Sequence, residues 1–212
     1  MNFLDVALHV DRYLPEWINN FGTGIYALLF AIIFFETGVV FMAFLPGDSL
    51  LFVTGALAGS DYLNIFILIP TLIIAAILGD ALNYWLGKNF GNQIANRWIK
   101  PEQLEATRLY FDRHGPRTII IARFIPFIRT FAPFVAGLSK MNYLTFVRYN
   151  AIGAFVWVLS VTLIGYFLGK IPLIKDNFEI AIYGIIGISL IPAIIEVVSS
   201  HRQKITKIST NT

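Results

Sequence analysis

The chain contains no cysteine, which excludes disulfide bridges, thiolate metal sites and cysteine nucleophiles together. Histidine is nearly absent as well. His9, His114 and His201 are the whole supply, none of them lies beside an arginine of the apolar segments, and no metal-ligand or phosphatase spacing forms. Charge is the third scarcity. Asp, Glu, Lys and Arg make up 14% of the 212 residues, whereas a soluble domain carries about a quarter. What fills the space is apolar: 57% hydrophobic residues and a mean hydropathy of +0.69. Stretches near the ~20 residues needed to cross a bilayer recur along the chain, so the sequence reads as a single integral membrane domain over 1–212. The net charge of +3 is small and its basic residues gather in loops, a pattern of membrane topology and not of nucleic-acid binding. The first basic residue is Arg12, so the N-terminus lacks the cationic start of a secretory signal and is expected to be retained.

Hydropathy divides the chain. Residues 1–20 mix Phe3, Val6, Leu8, Val10, Leu14 and Trp17 with charges, as an interfacial amphipathic helix does. Residues 63–87, 143–169 and 178–198 read as transmembrane crossings, and 199–212 as a polar, basic tail. "PEQLEATRLYFDRH" at 101–114 opens on proline and precedes Gly115, the punctuation of a surface helix. Two apolar segments are interrupted. In 24–59, Pro46-Gly47 leaves ten apolar residues after "LPGDS", too few to cross. In 118–138, Pro126 removes a backbone donor and clashes with the preceding turn. A kinked continuous helix is one solution there. A re-entrant hairpin is the preferred one, because broken backbone at membrane depth is tolerated where protein or a wet cavity covers it.

The two interrupted segments resemble each other. "FLPGDSLLFVTGALAG" at 44–59 and "FIPFIRTFAPFVAGL" at 124–138 both run Phe-x-Pro, apolar arm, Ala-Gly, and each leads to a crossing that closes alike, "YWLGK" at 84–88 and "YFLGK" at 166–170. The expected fold is therefore all-α: two re-entrant helical hairpins, each followed by a transmembrane helix, with a C-terminal transmembrane helix and interfacial helices added. A hairpin returns to its own side and a crossing changes sides, so the hairpins enter from opposite faces as an inverted repeat, the plan of many secondary transporters. Lys88, Arg97, Lys100, Arg108, Arg113 and Arg117 place 88–117 in the cytoplasm with the C-terminal tail, which holds Arg202, Lys204 and Lys207. Residues 24–44 are long enough to be either a hairpin arm or a full crossing. The second choice moves the N-terminus inside.

Five ionisable residues fall within the apolar segments: Glu36, Asp48, Asp80, Arg123 and Arg129. Each costs about 2.5–3.5 kcal/mol at a bilayer centre when unpaired, so they must pair, reach water or titrate. Arg123 and Arg129 are six apart, about 600° around one continuous helix, and would point apart. A break at Pro126 lets both flank a hairpin tip, where two guanidiniums can clamp a phosphate through bidentate, charge-assisted bonds. Desolvation disfavours a carboxylate's charge and a nearby arginine favours it. An acid poised between the two can carry a proton, which makes Glu36 and Asp48 coupling candidates. Other readings stand beside these. Asp48, with Ser49, is a good helix cap. The acids can serve as plain ion-pair partners of the arginines. Asp80 is as well placed for a structural hydrogen bond as for transport, with Ser49 and Thr130 as further supporting groups. Asn150 and Trp157 read as packing or interfacial groups.

"FFETG" at 34–38, "FLPGDSLL" at 44–51, "GDALNYWLG" at 79–87, "FDRHG" at 111–115, "ARFIPFIRTFAPFVAGLSKMNY" at 122–143, "YNAIGAFVW" at 149–157 and "GYFLGK" at 165–170 resemble the DedA family of bacterial inner-membrane proteins over about residues 20–198. The resemblance implies a fold shared with VTT-domain lipid scramblases and a role in returning undecaprenyl phosphate to the cytoplasmic leaflet. It also implies dependence on proton-motive force and a part in envelope integrity. The family's two acids and two arginines map to Glu36, Asp48, Arg123 and Arg129. The expected function is then a flippase for a phosphorylated polyprenyl lipid, coupled to protons, with no cofactor and no catalytic residue. A proton-coupled exporter of small cations or drugs is the main alternative. A lipid phosphatase and an assembly scaffold are weaker ones. The sequence does not choose between a monomer and a homo-oligomer.

Overall fold

A computed structural model describes residues 22–39, 47–98 and 101–171. The expected interfacial helix at 1–20, Pro46, the crossing at 178–198 and the tail lie outside them. The described residues form helices and no strand: α1 Gly24–Gly38, α2 Gly47–Gly59, α3 Ile65–Trp98, α4 Pro101–His114, a 3₁₀ turn Gly115–Arg117, α5 Thr118–Ala122, α6 Pro126–Leu138 and α7 Tyr143–Gly169.

Among the described residues, only α3 and α7 contain stretches long and apolar enough to span a bilayer, Ile65–Gly91 and Tyr143–Gly169, 27 residues each. At 1.5 Å per residue each is about 40 Å long, beyond the ~30 Å hydrocarbon core. Their outward faces carry Phe66, Ile74, Leu78 and Trp85 on α3 and Ile152, Phe155, Ile164 and Phe167 on α7, an apolar coat suited to lipid. The helix that carries the crossing expected over 63–87 runs on to Trp98, beyond its apolar stretch Ile65–Gly91. Lys88 and Asn89 lower the hydropathy there but break no backbone hydrogen bond, so the helix continues. Of the interrupted segments, α1 is 15 residues long and α2 and α6 are 13 each, roughly 20 Å. α1 stops at Gly38, where Val39 turns extended (φ −114°, ψ 111°).

The segment 118–138 is two helices and not one kinked rod. Arg123–Ile125 separate α5 from α6, with Ile125 extended at φ −115°, ψ 104°. The ring of Pro126 imposes that conformation on its predecessor and then opens α6 from a position that needs no N–H donor.

The two halves repeat their local devices. α2 and α6 both end in a Schellman turn. Asp61 and Lys140 adopt left-handed backbone (φ 68° and 53°), and Tyr62 and Met141 each donate to a carbonyl five residues back, Leu57 and Ala136, at 2.9 Å. The next helix then starts under an asparagine. Asn64 Oδ1 accepts from Phe66 N–H at 2.9 Å, and Asn142 Oδ1 accepts from Leu144 and Thr145 N–H at 3.0 and 3.2 Å.

Packing crosses between the halves. α1 lies along α3 and α5 along α7, each on its own repeat's long helix, whereas α2 packs on α7 and α6 on α3. The crossed contacts are backbone to backbone. A methyl group on Gly59 would overlap the carbonyl of Tyr166, and one on Gly137 would overlap that of Tyr84. Gly169 likewise meets the carbonyl of Ala56, and Gly87 that of Phe134. These four pairs match position for position in the "YWLGK"/"YFLGK" and Ala-Gly motifs. Small residues at such crossings let helices approach closely, as they do in membrane bundles.

Candidate functional site

The five charges of the apolar segments meet between α3, α7 and the two broken segments. Arg129, one turn into α6, points one nitrogen, Nη2, at Glu36 Oε1 of α1 and the other, Nη1, at Asp48 Oδ1 of α2, at 3.0 Å for the latter. Arg123 sits in the break itself. Its Nη2 donates to Asp80 Oδ2 of α3 and to Asn150 Oδ1 of α7, at 2.6 Å for the asparagine. Asn150 is fixed in turn by donating Nδ2 to the Ile77 carbonyl at 3.1 Å. Every acid of the cluster precedes residue 100 and both bases follow it, so each ion pair joins the first half to the second.

Trp157 covers this junction. Its ring lies 4.9 Å from the Arg129 guanidinium and 5.7 Å from that of Arg123, within cation–π range. Its Nε1 donates to Asp48 Oδ1 at 2.7 Å. Behind the cluster, the fully buried Asn83 donates Nδ2 to the carbonyls of Thr37 and Thr130, at 3.2 and 3.0 Å. It thereby ties the end of α1 to α6. A side chain in place of Gly47, at the start of α2, would run into the Glu36 carboxylate, and one of the two would have to shift.

Glu36, Thr37, Asp80, Ile119, Arg123, Arg129, Thr130, Pro133 and Trp157 line one small cleft. Its water-sized space is about 20 Å³, room for one or two waters. Arg123 Nε is buried without a protein partner, so it retains unused hydrogen-bonding capacity. Exposure is uneven: the Asp48 side chain is 51% accessible, that of Glu36 only 2%. Chemically, the site is a set of donors able to hold an anion, currently occupied by the protein's own carboxylates.

The expected residues thus fall into two groups. Glu36, Asp48 and Arg129 form one network, and Asp80 and Arg123 a second beside it. Thr130 contributes its carbonyl, and Ser49 is buried in α2. α2 begins at Gly47, so Asp48 and Ser49 lie inside its first turn and not at the cap position the sequence suggested, and the Asp48 carboxylate turns to Arg129 and Trp157. Asn150 and Trp157, read from sequence as packing groups, are ligands of the charged cluster. Their seven-residue spacing places them on one face of α7, the signal that links them. Asn83, three residues after Asp80 on the same face of α3, was also legible by spacing.

Residues 45–167 match the VTT domain family. Over 205 residues the chain is 46% identical to Protein DedA of Escherichia coli strain K12, covering 94% of each. The chain belongs to the DedA family. It is also 40% identical over 211 residues to an uncharacterized membrane protein of Mycobacterium leprae, covering 96% of this chain and 95% of that one. It is 38% identical over 152 residues to the inner membrane protein YqjA of Escherichia coli strain K12, covering 70% and 69%. No solved structure matches. Family membership and the two long apolar helices together make this a membrane protein.

Proposed function

We propose that this DedA-family protein is a flippase of the bacterial inner membrane that returns undecaprenyl phosphate to the cytoplasmic leaflet in support of envelope synthesis. The observation that carries the reading is the convergence of Arg123, in the helix break, and Arg129, one turn beyond it, on one cleft shared with Glu36 and Asp80. In this reading α1–α2 and α5–α6 are re-entrant hairpins entering from opposite faces. The phosphate is held in the cleft and the prenyl tail stays in lipid against the apolar flanks. The arginines are engaged by Glu36, Asp48 and Asp80, so a phosphate must compete with a carboxylate for them. Protons supply the means. A proton taken up by Glu36 or Asp48 weakens that acid's hold on Arg129 and opens the site. Loss of that proton restores the carboxylate and its ion pair with Arg129, and expels the lipid. The C-terminus lies in the cytoplasm in this arrangement.

The test is leaflet exchange of undecaprenyl phosphate in proteoliposomes. Intact protein is expected to accelerate exchange, and dissipating the proton gradient to slow it. Arg123→Ala and Arg129→Ala are each expected to reduce the rate at least tenfold. No exchange by intact protein, or equal rates in the variants, defeats the reading. One observation favours the alternative of a proton-coupled exporter of small cations: three carboxylates face two guanidiniums, so the fully ionised cluster carries one net negative charge. Proton flux driven by an added organic cation, with no lipid movement, would select it.

A further inference from the structure

Two donors from the second half of the chain, Arg129 Nη1 at 3.0 Å and Trp157 Nε1 at 2.7 Å, converge on a single oxygen, Asp48 Oδ1. Trp157 is 2% exposed, and an indole N–H that deep must keep an acceptor, since a buried donor left unpaired is destabilising. Asp48 is a different kind of group. Its side chain is half accessible, it stands at the start of a short helix, and it is the only acid of the cluster open to an arriving ligand. A buried donor and a mostly covered one therefore face a peripheral, half-accessible acceptor.

We infer that the Asp48 carboxylate is a built-in surrogate for the substrate's phosphate, and that Trp157 is a substrate-binding residue. When Asp48 withdraws, a phosphate oxygen takes the place of Oδ1 and inherits both donors, Arg129 Nη1 and Trp157 Nε1. The Trp157 ring, lying against both guanidiniums, keeps them aligned during the exchange. Occupancy by Asp48 and by phosphate is mutually exclusive, and the indole N–H is satisfied in both states. The assignment rests on the proposed lipid-phosphate reading. It adds a ligand from α7 and gives Asp48 the role of competitor.

Binding separates this idea from transport. The full chain in detergent micelles is titrated with a radiolabelled polyprenyl monophosphate, with the corresponding polyprenol and with inorganic phosphate. Asp48→Asn, which no longer competes as an anion, is expected to bind the monophosphate about tenfold more tightly than wild type, and Trp157→Phe, which keeps a ring but loses the N–H, about tenfold more weakly. In a chain carrying Trp17→Phe, Trp85→Phe and Trp98→Phe, Trp157 is the one indole left, and its emission should shift with the monophosphate and not with the polyprenol. A response to inorganic phosphate as well shows that the headgroup alone occupies the site. A response to inorganic phosphate only retains the donors and removes the lipid. Equal affinities in wild type and Asp48→Asn, with unchanged Trp157 emission, overturn the inference even if Trp157→Phe fails to fold. Should wild type bind and exchange the lipid while those results hold, the flippase reading survives alone.

Discussion

At the scale of single residues, the two arginines differ in surroundings although the sequence treats them alike. Arg123 is buried, and its partners Asp80 and Asn150 come from the two long helices. It behaves as a strut between α3 and α7. Removing one member of such a pair strands the other charge, whereas replacing both with apolar groups is far less damaging. Arg123→Met alone is therefore expected to destabilise the protein by about 3–5 kcal/mol, with Asp80→Leu added recovering most of the loss. Thermal unfolding in detergent checks both variants, and equal destabilisation of single and double would refute the strut. The existence of the charged cluster was legible in the sequence, because five ionisable groups in apolar segments have few places to go. Who pairs with whom was not. Pairing depends on which faces of α3 and α7 turn inward, and Asn150 and Trp157 occupy the same inward face of a helix that is apolar over most of its circumference.

At the scale of elements, α7 occupies the 143–169 range that its apolar length marks out, and the break before Pro126 follows from the stereochemistry of the X-Pro bond. The end of α3 was not legible, because hydropathy reports where lipid ends and helices are held by backbone bonds that continue past it. The internal repeat showed that two halves are alike. It did not show that each half's second arm leans on the other half's long helix, since equivalence of sequence says nothing about partner choice. The glycine contacts supply that information and can be tested. Gly59→Ala and Gly137→Ala place a methyl against the Tyr166 and Tyr84 carbonyls. Each is expected to cost about 1–3 kcal/mol, the two costs similar, and the double variant close to their sum because separate interfaces are involved. Unfolding measurements that found one site tolerant and the other not would break the twofold equivalence.

For the whole molecule, the decisive unknown in the sequence is orientation, and the absence of cysteine makes it directly measurable. Asp61, in the turn between α2 and α3, and Asp112, near the end of α4, are both exposed. Basic residues crowd 88–117 and are few around residue 61, so Asp61→Cys is expected to react with a membrane-impermeant maleimide in intact spheroplasts. Asp112→Cys should react only after permeabilisation. Labelling of both from one side would contradict the opposite entry proposed for the two helix pairs.

The division of charge between the halves also constrains how the protein is made. A ribosome that has delivered residues up to about 100 has placed Glu36, Asp48 and Asp80 in or near the bilayer before either guanidinium exists. Until the stretch containing Arg123 and Arg129 emerges, those acids must wait in water, or protonated, or under the care of the insertion machinery. α3 likewise lacks the helix that later seals its glycine face. A chain truncated near Lys100 should thus be short-lived in cells, and supplying the missing half as a separate polypeptide should rescue it.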